Sequence, residues 1–181
     1  MSNNTAENRE VKEEPVQYLT FILDGESFAT EIAQVREVLE LPKITRVPRT
    51  SDYMRGVINL RGSVVSVLDL RSKFGMEETE PTVDTCIVIV EVKIGSDMTV
   101  LGALVDSVQE VIDFNPDQLE PVPSLGTRVD AQFISAIGKQ DDKFVMILNI
   151  NRIFTEDLLM EVEGNSDTTL PDDESNSGTG A

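Results

Sequence analysis

Histidine and tryptophan are absent from this 181-residue chain, and cysteine occurs once. The missing histidine removes the commonest general base, the imidazole metal ligand and any phosphohistidine. A single thiol without histidine makes neither a thiol nucleophile pair nor a Cys/His zinc site, and it cannot close an internal disulfide. That thiol, Cys86, lies inside the apolar run CIVIV and is expected in the core. A phosphate-binding loop is missing too, since Gly138-Lys139 is followed by Gln140. No apolar run approaches the ~20 residues that span a bilayer, and the polar N-terminus has no signal-type apolar stretch. A cytosolic chain without membrane insertion is therefore expected. Basic residues are scarce, 15 Lys and Arg against 33 Asp and Glu, for a net charge of −18. Such a field repels nucleic acid and anionic lipid. Carboxylates are many, but Asp69, Asp106 and Asp113 read as turn or strand-end groups, so no catalytic residue, metal site or cofactor is expected.

Aromatics make up only 5% of the chain, which leaves the core to Val, Ile and Leu and favours strands. The organising stretch is GVINLRGSVVSVLDLRSKFG, Gly56 to Gly75. Its apolar runs Val57–Leu60 and Val64–Leu68 flank Arg61-Gly62, a tight hairpin turn that holds one guanidinium out at its tip. Asp69-Leu70-Arg71 opens a short helix ending at Phe74, with Gly75 placed to stop it. Upstream, Val16–Leu23, the turn Asp24-Gly25 and Ser27–Thr30 predict a hairpin. Ile32, Val35 and Leu39 fit one face of a short helix, although Val38 and Leu41 leave a strand open. Pro42 and Pro48 bracket an extended piece, Ile44–Val47, and Ser51-Asp52 reads as a turn opening one helical turn before Gly56. Downstream, Glu77–Thr82 is an acidic connector and Cys86–Val92 a strand buried on both faces. Thr99–Val105 and Val108–Phe114 continue extended, a Pro-containing loop runs to Val129, and Phe133–Ile137 with Phe144–Leu148 form a last hairpin. Asn151 to Met160 has helical spacing. Residues 1–14 and 161–181 read as disordered arms, the second rich in Asp and Glu without Lys or Arg.

An internal repeat runs through the body. VREVLEL at Val35–Leu41 recurs as VQEVIDF at Val108–Phe114, and SVVSVLDLRSKF, ending at Phe74, as KFVMILNINRIF, ending at Phe154. One strand order thus occurs twice, in pseudo-repeats of about 16–80 and 81–160, which points to two small barrels. The copies differ at the hairpin tip, tight at Arg61-Gly62 and expected to be longer and acidic over Gly138–Lys143.

GVINLRGSVVSVLDLR, EIAQVREVLELPKITRVP and the ending ILNINRIF resemble the CheW family of chemotaxis coupling proteins over residues 16 to 160. The resemblance implies a mainly β fold of two intertwined five-stranded Src-homology-type barrels with short helices and a C-terminal helix, one domain over 15–160. It implies a non-enzymatic cytoplasmic adaptor, recruited to membrane-associated arrays. Its partners are the cytoplasmic tips of chemoreceptors (methyl-accepting chemotaxis proteins) and the regulatory domain of the CheA histidine kinase. By position, Ile32, Val35, Glu37, Val38 and Arg61 fall on the first-barrel side of the receptor groove, and Val105 and Val108 on the second. Ile44 and Val47 are where kinase contact is looked for. The valines also read as ordinary core, and Arg61 as a solvated tip. A scaffold of another chemosensory pathway, such as surface motility, and a small β-barrel ligand-binding protein are the competing readings. The acidic tail and the strong net charge depart from a minimal family member.

Overall fold

A computed structural model describes residues 13–123 and 129–155. The arms expected at 1–14 and 161–181 therefore lie outside the described residues, apart from positions 13 and 14, which are exposed and irregular. Eleven strands are described: β1 Val16–Leu23, β2 Glu26–Glu31, β3 Val35–Glu40, β4 Met54–Leu60, β5 Ser63–Asp69, β6 Cys86–Ile94, β7 Asp97–Val105, β8 Ser107–Phe114, β9 Leu119–Glu120, β10 Ile134–Gln140 and β11 Lys143–Leu148. One helical turn, α1 (Leu70–Lys73), follows β5, and helical residues 150–155, α2, follow β11.

The strands form two sheets, ordered β3-β6-β7-β5-β4 and β8-β1-β2-β11-β10-β9. Each has five main strands, and β9 adds two residues to the second. The repeat makes the two orders equivalent. Exchanging β1, β2, β3, β4 and β5 for β6, β7, β8, β10 and β11 turns one sheet into the other. Each sheet thus takes its first hairpin from one repeat and its remaining three strands from the other, which is what makes the barrels intertwined. The repeats join at two parallel pairs, β5 with β7 and β2 with β11, and at two antiparallel ones, β3 with β6 and β1 with β8.

Strand β6 shows why the sequence has a continuous apolar run there. Ile87 and Ile89 point into the interior of the first barrel with Ile58, Val65, Val67 and Leu104. Cys86, Val88, Val90 and Val92 point the other way, into a core shared by both sheets with Leu19, Phe21, Leu23, Leu101 and Phe154. The second barrel has its own interior around Tyr18, Ile112, Phe114, Val145 and Ile147. The shared core is the largest of the three. Because burial stabilises in proportion to the apolar area removed from water, this core ties the two halves together.

The sequence expectations fail at three places. Residues 32–40 are not a helix: Ile32–Gln34 is a single 3-10 turn, and Val35–Glu40 is an edge strand paired with β6. Its register slips at Arg36, where one extra residue bulges. The bulge puts Val35, opposite Val90, and Val38, opposite Val88, on the same face. A spacing of three is helical in an ideal pattern, and here a bulged strand produces it. The helical turn expected before Gly56 is likewise absent. Residues 51–53 turn, the Met54 amide donates to the Ser51 carbonyl at 3.0 Å, and Tyr53 O accepts from Asp69 N at 2.7 Å, which draws the chain out alongside β5. Finally, the second hairpin tip is as short as the first. Asp141 and Asp142 sit at φ 47° and 64° between paired Gln140 and Lys143, as Arg61 and Gly62 sit at 52° and 87° between Leu60 and Ser63. Both are two-residue turns with two positive φ angles. The tips differ in charge, not in length.

Candidate functional site

The first barrel closes on itself through two contacts across the seam between β3 and β4. Thr45, just beyond β3, exchanges both backbone hydrogen bonds with Val57 of β4, at 2.9 and 2.8 Å. Gly56 makes this approach feasible, since a Cβ there would lie far inside contact distance of the Thr45 carbonyl. At the tip of the β4–β5 hairpin, Arg61 Nη2 donates to Glu37 Oε2 of β3 at 2.6 Å. The Asn59 side chain accepts from Gly62 N at 2.8 Å and steadies the turn. The Arg61 side chain remains 75% exposed and that of Glu37 24%. Glu37 Oε1 is buried with no hydrogen-bond partner, so Arg61 is the group that compensates this carboxylate.

Val35 and Ile32 pack at the margin of the shared core, and Val38 next to them is 42% exposed. Strand β8 repeats the arrangement. Val108 lies opposite Phe21 and Val111 opposite Leu19, with a slip in register between them, so both face the shared core. Thr20 fills the bulge, its hydroxyl donating to Glu110 O at 2.8 Å and accepting from Glu110 N at 3.1 Å. Val108 is half-buried and Val111 is 47% exposed. Two edge strands, one per sheet, thus carry equivalent valine pairs over one core, each with an exposed outer member.

Val105 does not belong to this surface. It is fully enclosed in the shared core at the end of β7. It alternates inward with Leu101 and Ala103 on a strand flanked on both sides, so it offers a partner nothing. Ile44 and Val47 separate as well. Ile44 turns into the first barrel's interior, whereas Val47 is exposed.

Several features escaped the sequence reading. Val111 was legible, because the repeat aligns it with Val38. The same repeat aligns Val64 with Phe144, and both are exposed, at 76% and 63%, beside the two hairpin tips. Phe144 borders a cavity of about 630 Å³ with Ile137, Met146 and Pro121. An ion network at the barrel junction had no sequence signal. The nearly enclosed Arg71 of α1 donates to Asp106 Oδ2 at 2.5 Å, Asp24 Oδ1 at 3.4 Å and Glu77 O at 2.9 Å. Asp69 beside it caps α1 through the Arg71 and Ser72 amides and holds Arg55 by two nitrogens, at 2.9 and 2.7 Å. Its ion pairs join residues 14 to 47 apart in the chain, beyond the reach of local pattern.

Burial pushes the Cys86 thiol above its ordinary range, which leaves it protonated and inert. Burial, helped by Glu31, raises the Tyr18 phenol in the same direction. Among the described residues no three or more Asp, Glu or Cys side chains gather to hold a metal ion.

Comparison with known proteins gives a consistent result. The sequence model of the CheW-like domain matches residues 17–158. A chemotaxis protein CheW of Helicobacter pylori is 33% identical over 150 residues, covering 82% of this chain and 87% of that one. One from Bacillus subtilis is 33% identical over 140 residues, covering 77% and 86%. The crystal structure of a scaffolding protein, TtCheW from Thermoanaerobacter tengcongensis, superposes with a TM-score of 0.70 at 34% identity, covering 77% of this chain and 92% of that one.

Proposed function

The chain belongs to the CheW-like family, and from that premise we propose that it is a non-enzymatic chemotaxis adaptor. It joins the cytoplasmic tips of chemoreceptors to the regulatory domain of the CheA histidine kinase, and it works in the cytoplasm at the membrane-associated array. No helix among the described residues is long and apolar enough to cross a membrane.

The observation that carries this reading is the pair of bulged edge strands. Val35 and Val38 on β3, and Val108 and Val111 on β8, present apolar surface above the shared core, with Ile32 beside them. A helical receptor tip laid against them would bury its own apolar face, the helix-in-groove mode. Arg61 and Glu37 border the β3 side and give that contact a polar rim. Val47 and the stretch around it offer the kinase a separate face on the first barrel.

The test is a titration of receptor cytoplasmic fragment against Val38→Asp and Val111→Asp. Both positions are exposed, so each variant should melt within about 0.5 kcal/mol of the parent, as surface changes do. Each should weaken receptor binding at least tenfold, because a carboxylate is desolvated on association. Unchanged receptor affinity in both variants would end the groove assignment.

A further inference from the structure

In a chain with 33 acidic and 15 basic residues, four arginines of the described body are held by carboxylates. Arg36 pairs with Glu91, Arg55 with Asp69, Arg61 with Glu37, and Arg71 with Asp106 and Asp24. Three cations without such a partner fall together in the stretch between β3 and β4, Lys43-Ile44-Thr45-Arg46-Val47-Pro48-Arg49. Its three cations are all exposed, and their side chains make no ion pair or hydrogen bond among the described residues. The backbone holds them in place. Thr45 is bonded into the barrel seam, Ile44 is anchored inside the barrel, and Pro42 and Pro48 stiffen both ends. Arg46 stands on the wall between two cavities, of about 570 and 420 Å³, and Arg49 lines the second. Glu78 borders both, Glu80 the first and Asp52 the second, and none of them pairs with the three cations, while Asp69 and Asp106 in the first are held by Arg55 and Arg71.

Three unpaired cations held within seven residues, two of them lining hollows, call for an anionic occupant. A separate acidic macromolecule approaches it against the field of a chain with net charge −18. A tethered segment feels the field of the body too, but it needs no encounter from solution, because its effective concentration is of millimolar order. The chain carries a suitable one. Beyond Thr155 come 26 residues, 156–181, with eight carboxylates and no Lys or Arg. Ile153 and Phe154 of α2 belong to the same core cluster as Phe133, and Lys73 Nζ lies 5.4 Å from the Phe133 ring and 4.5 Å from that of Tyr53, four residues beyond Arg49. Extended at about 3.3 Å per residue, 26 residues span on the order of 80 Å, several times the ~14 Å radius of gyration of a domain this size.

We propose that the acidic stretch Glu161–Glu174 docks on the face formed by Lys43, Arg46 and Arg49. The contact is electrostatic and reversible, and it screens the three cations at low ionic strength. Because the exposed Val47 lies in the same stretch, the docked segment also shields the kinase contact. That consequence rests on the proposed function; the docking does not.

Zero-length carbodiimide cross-linking of the full chain, read by mass spectrometry, tests it without either partner. Lys43 should join a carboxylate in 161–174 at least about fivefold more often than Lys139 or Lys143 does at about 0.05 M NaCl. At about 0.5 M NaCl, where the Debye length shrinks to roughly 4 Å, the link should fade, and R46E/R49E should abolish it at low salt. A mixture of ¹⁵N-labelled and unlabelled protein should give links within single chains. Links no more frequent at Lys43 than at the other lysines would overturn the proposal. So would links indifferent to salt and to R46E/R49E, or links found only between labelled and unlabelled copies.

Discussion

At the scale of single residues, Arg61 shows how far a side chain's role can be read from its neighbours in sequence. The Arg-Gly turn announces an exposed guanidinium, and the structure places it there with Glu37 as its counter-ion. The partner's buried Oε1 was invisible in the sequence, because it depends on a barrel seam that joins residues 24 apart. Val105 went the opposite way. An apolar residue at a strand end reads the same whether it faces a groove or a core, and only the stacking of sheets decides. An exposed ion pair is worth about 1 kcal/mol or less, so Arg61→Glu should lower stability by roughly that amount. The loss comes from repulsion on Glu37, and adding Glu37→Gln should restore it. If Arg61 also meets a partner, the double variant E37Q/R61E should still bind receptor or kinase at least tenfold more weakly than wild type. Recovery of both stability and affinity in the double variant would reduce Arg61 to a counter-ion for Glu37.

At the scale of elements, strands buried on both faces and tight hairpins were legible because their signals are local. The runs CIVIV and SVVSVLDL and the pairs Asp24-Gly25 and Arg61-Gly62 sit where the structure has β6, β5 and two-residue turns. Strand β3 was ambiguous because a bulge shifts its period from two toward three, and a bulge is specified by the partner strand. The Asp141-Asp142 tip was hidden for another reason: aspartate adopts positive φ less readily than glycine, so the pair carries no strong turn signal. Gly56 marks the element most sensitive to one added methyl group. Its φ is +142°, and a Cβ there meets backbone, the Thr45 carbonyl, which cannot swing aside as a side chain can. Gly56→Ala should therefore break the Thr45–Val57 bridge and open the seam of the first barrel. Strain plus two lost backbone hydrogen bonds should cost about 3 kcal/mol or more by chemical denaturation. Gly25→Ala, also at positive φ but with nothing within 4 Å of the added carbon, should cost only about 1 kcal/mol. Equal losses at the two sites would show that strain, not the seam, sets the cost at Gly56.

At the scale of the whole molecule, the exchange of hairpins between repeats governs how the chain folds. A sequence repeat ordinarily promises two units that fold separately, each with its own core. Here residues 13–80 hold β1 and β2 of one barrel and β3, β4 and β5 of the other, and lack the β6–β7 hairpin that stands between β3 and β5. That fragment would leave β3 without its neighbour and strand the shared-core residues Leu19, Phe21, Leu23 and Phe28 without Val88, Val90 and Leu101. The complementary fragment, residues 81–181, has the mirror-image defect: β8 loses β1, and β11 loses β2. Arg71 would be parted from Asp106 across the same cut. The cut falls at the acidic connector, where no strand is interrupted. Neither fragment should therefore show a cooperative thermal transition, while the intact chain should melt in a single step by circular dichroism and calorimetry. Mixed at equimolar concentration, the fragments should regain the native spectrum, because every missing pairing is supplied by the other piece. A cooperative melt by either fragment alone would mean that one barrel is completed within one repeat, contrary to the strand order of both sheets.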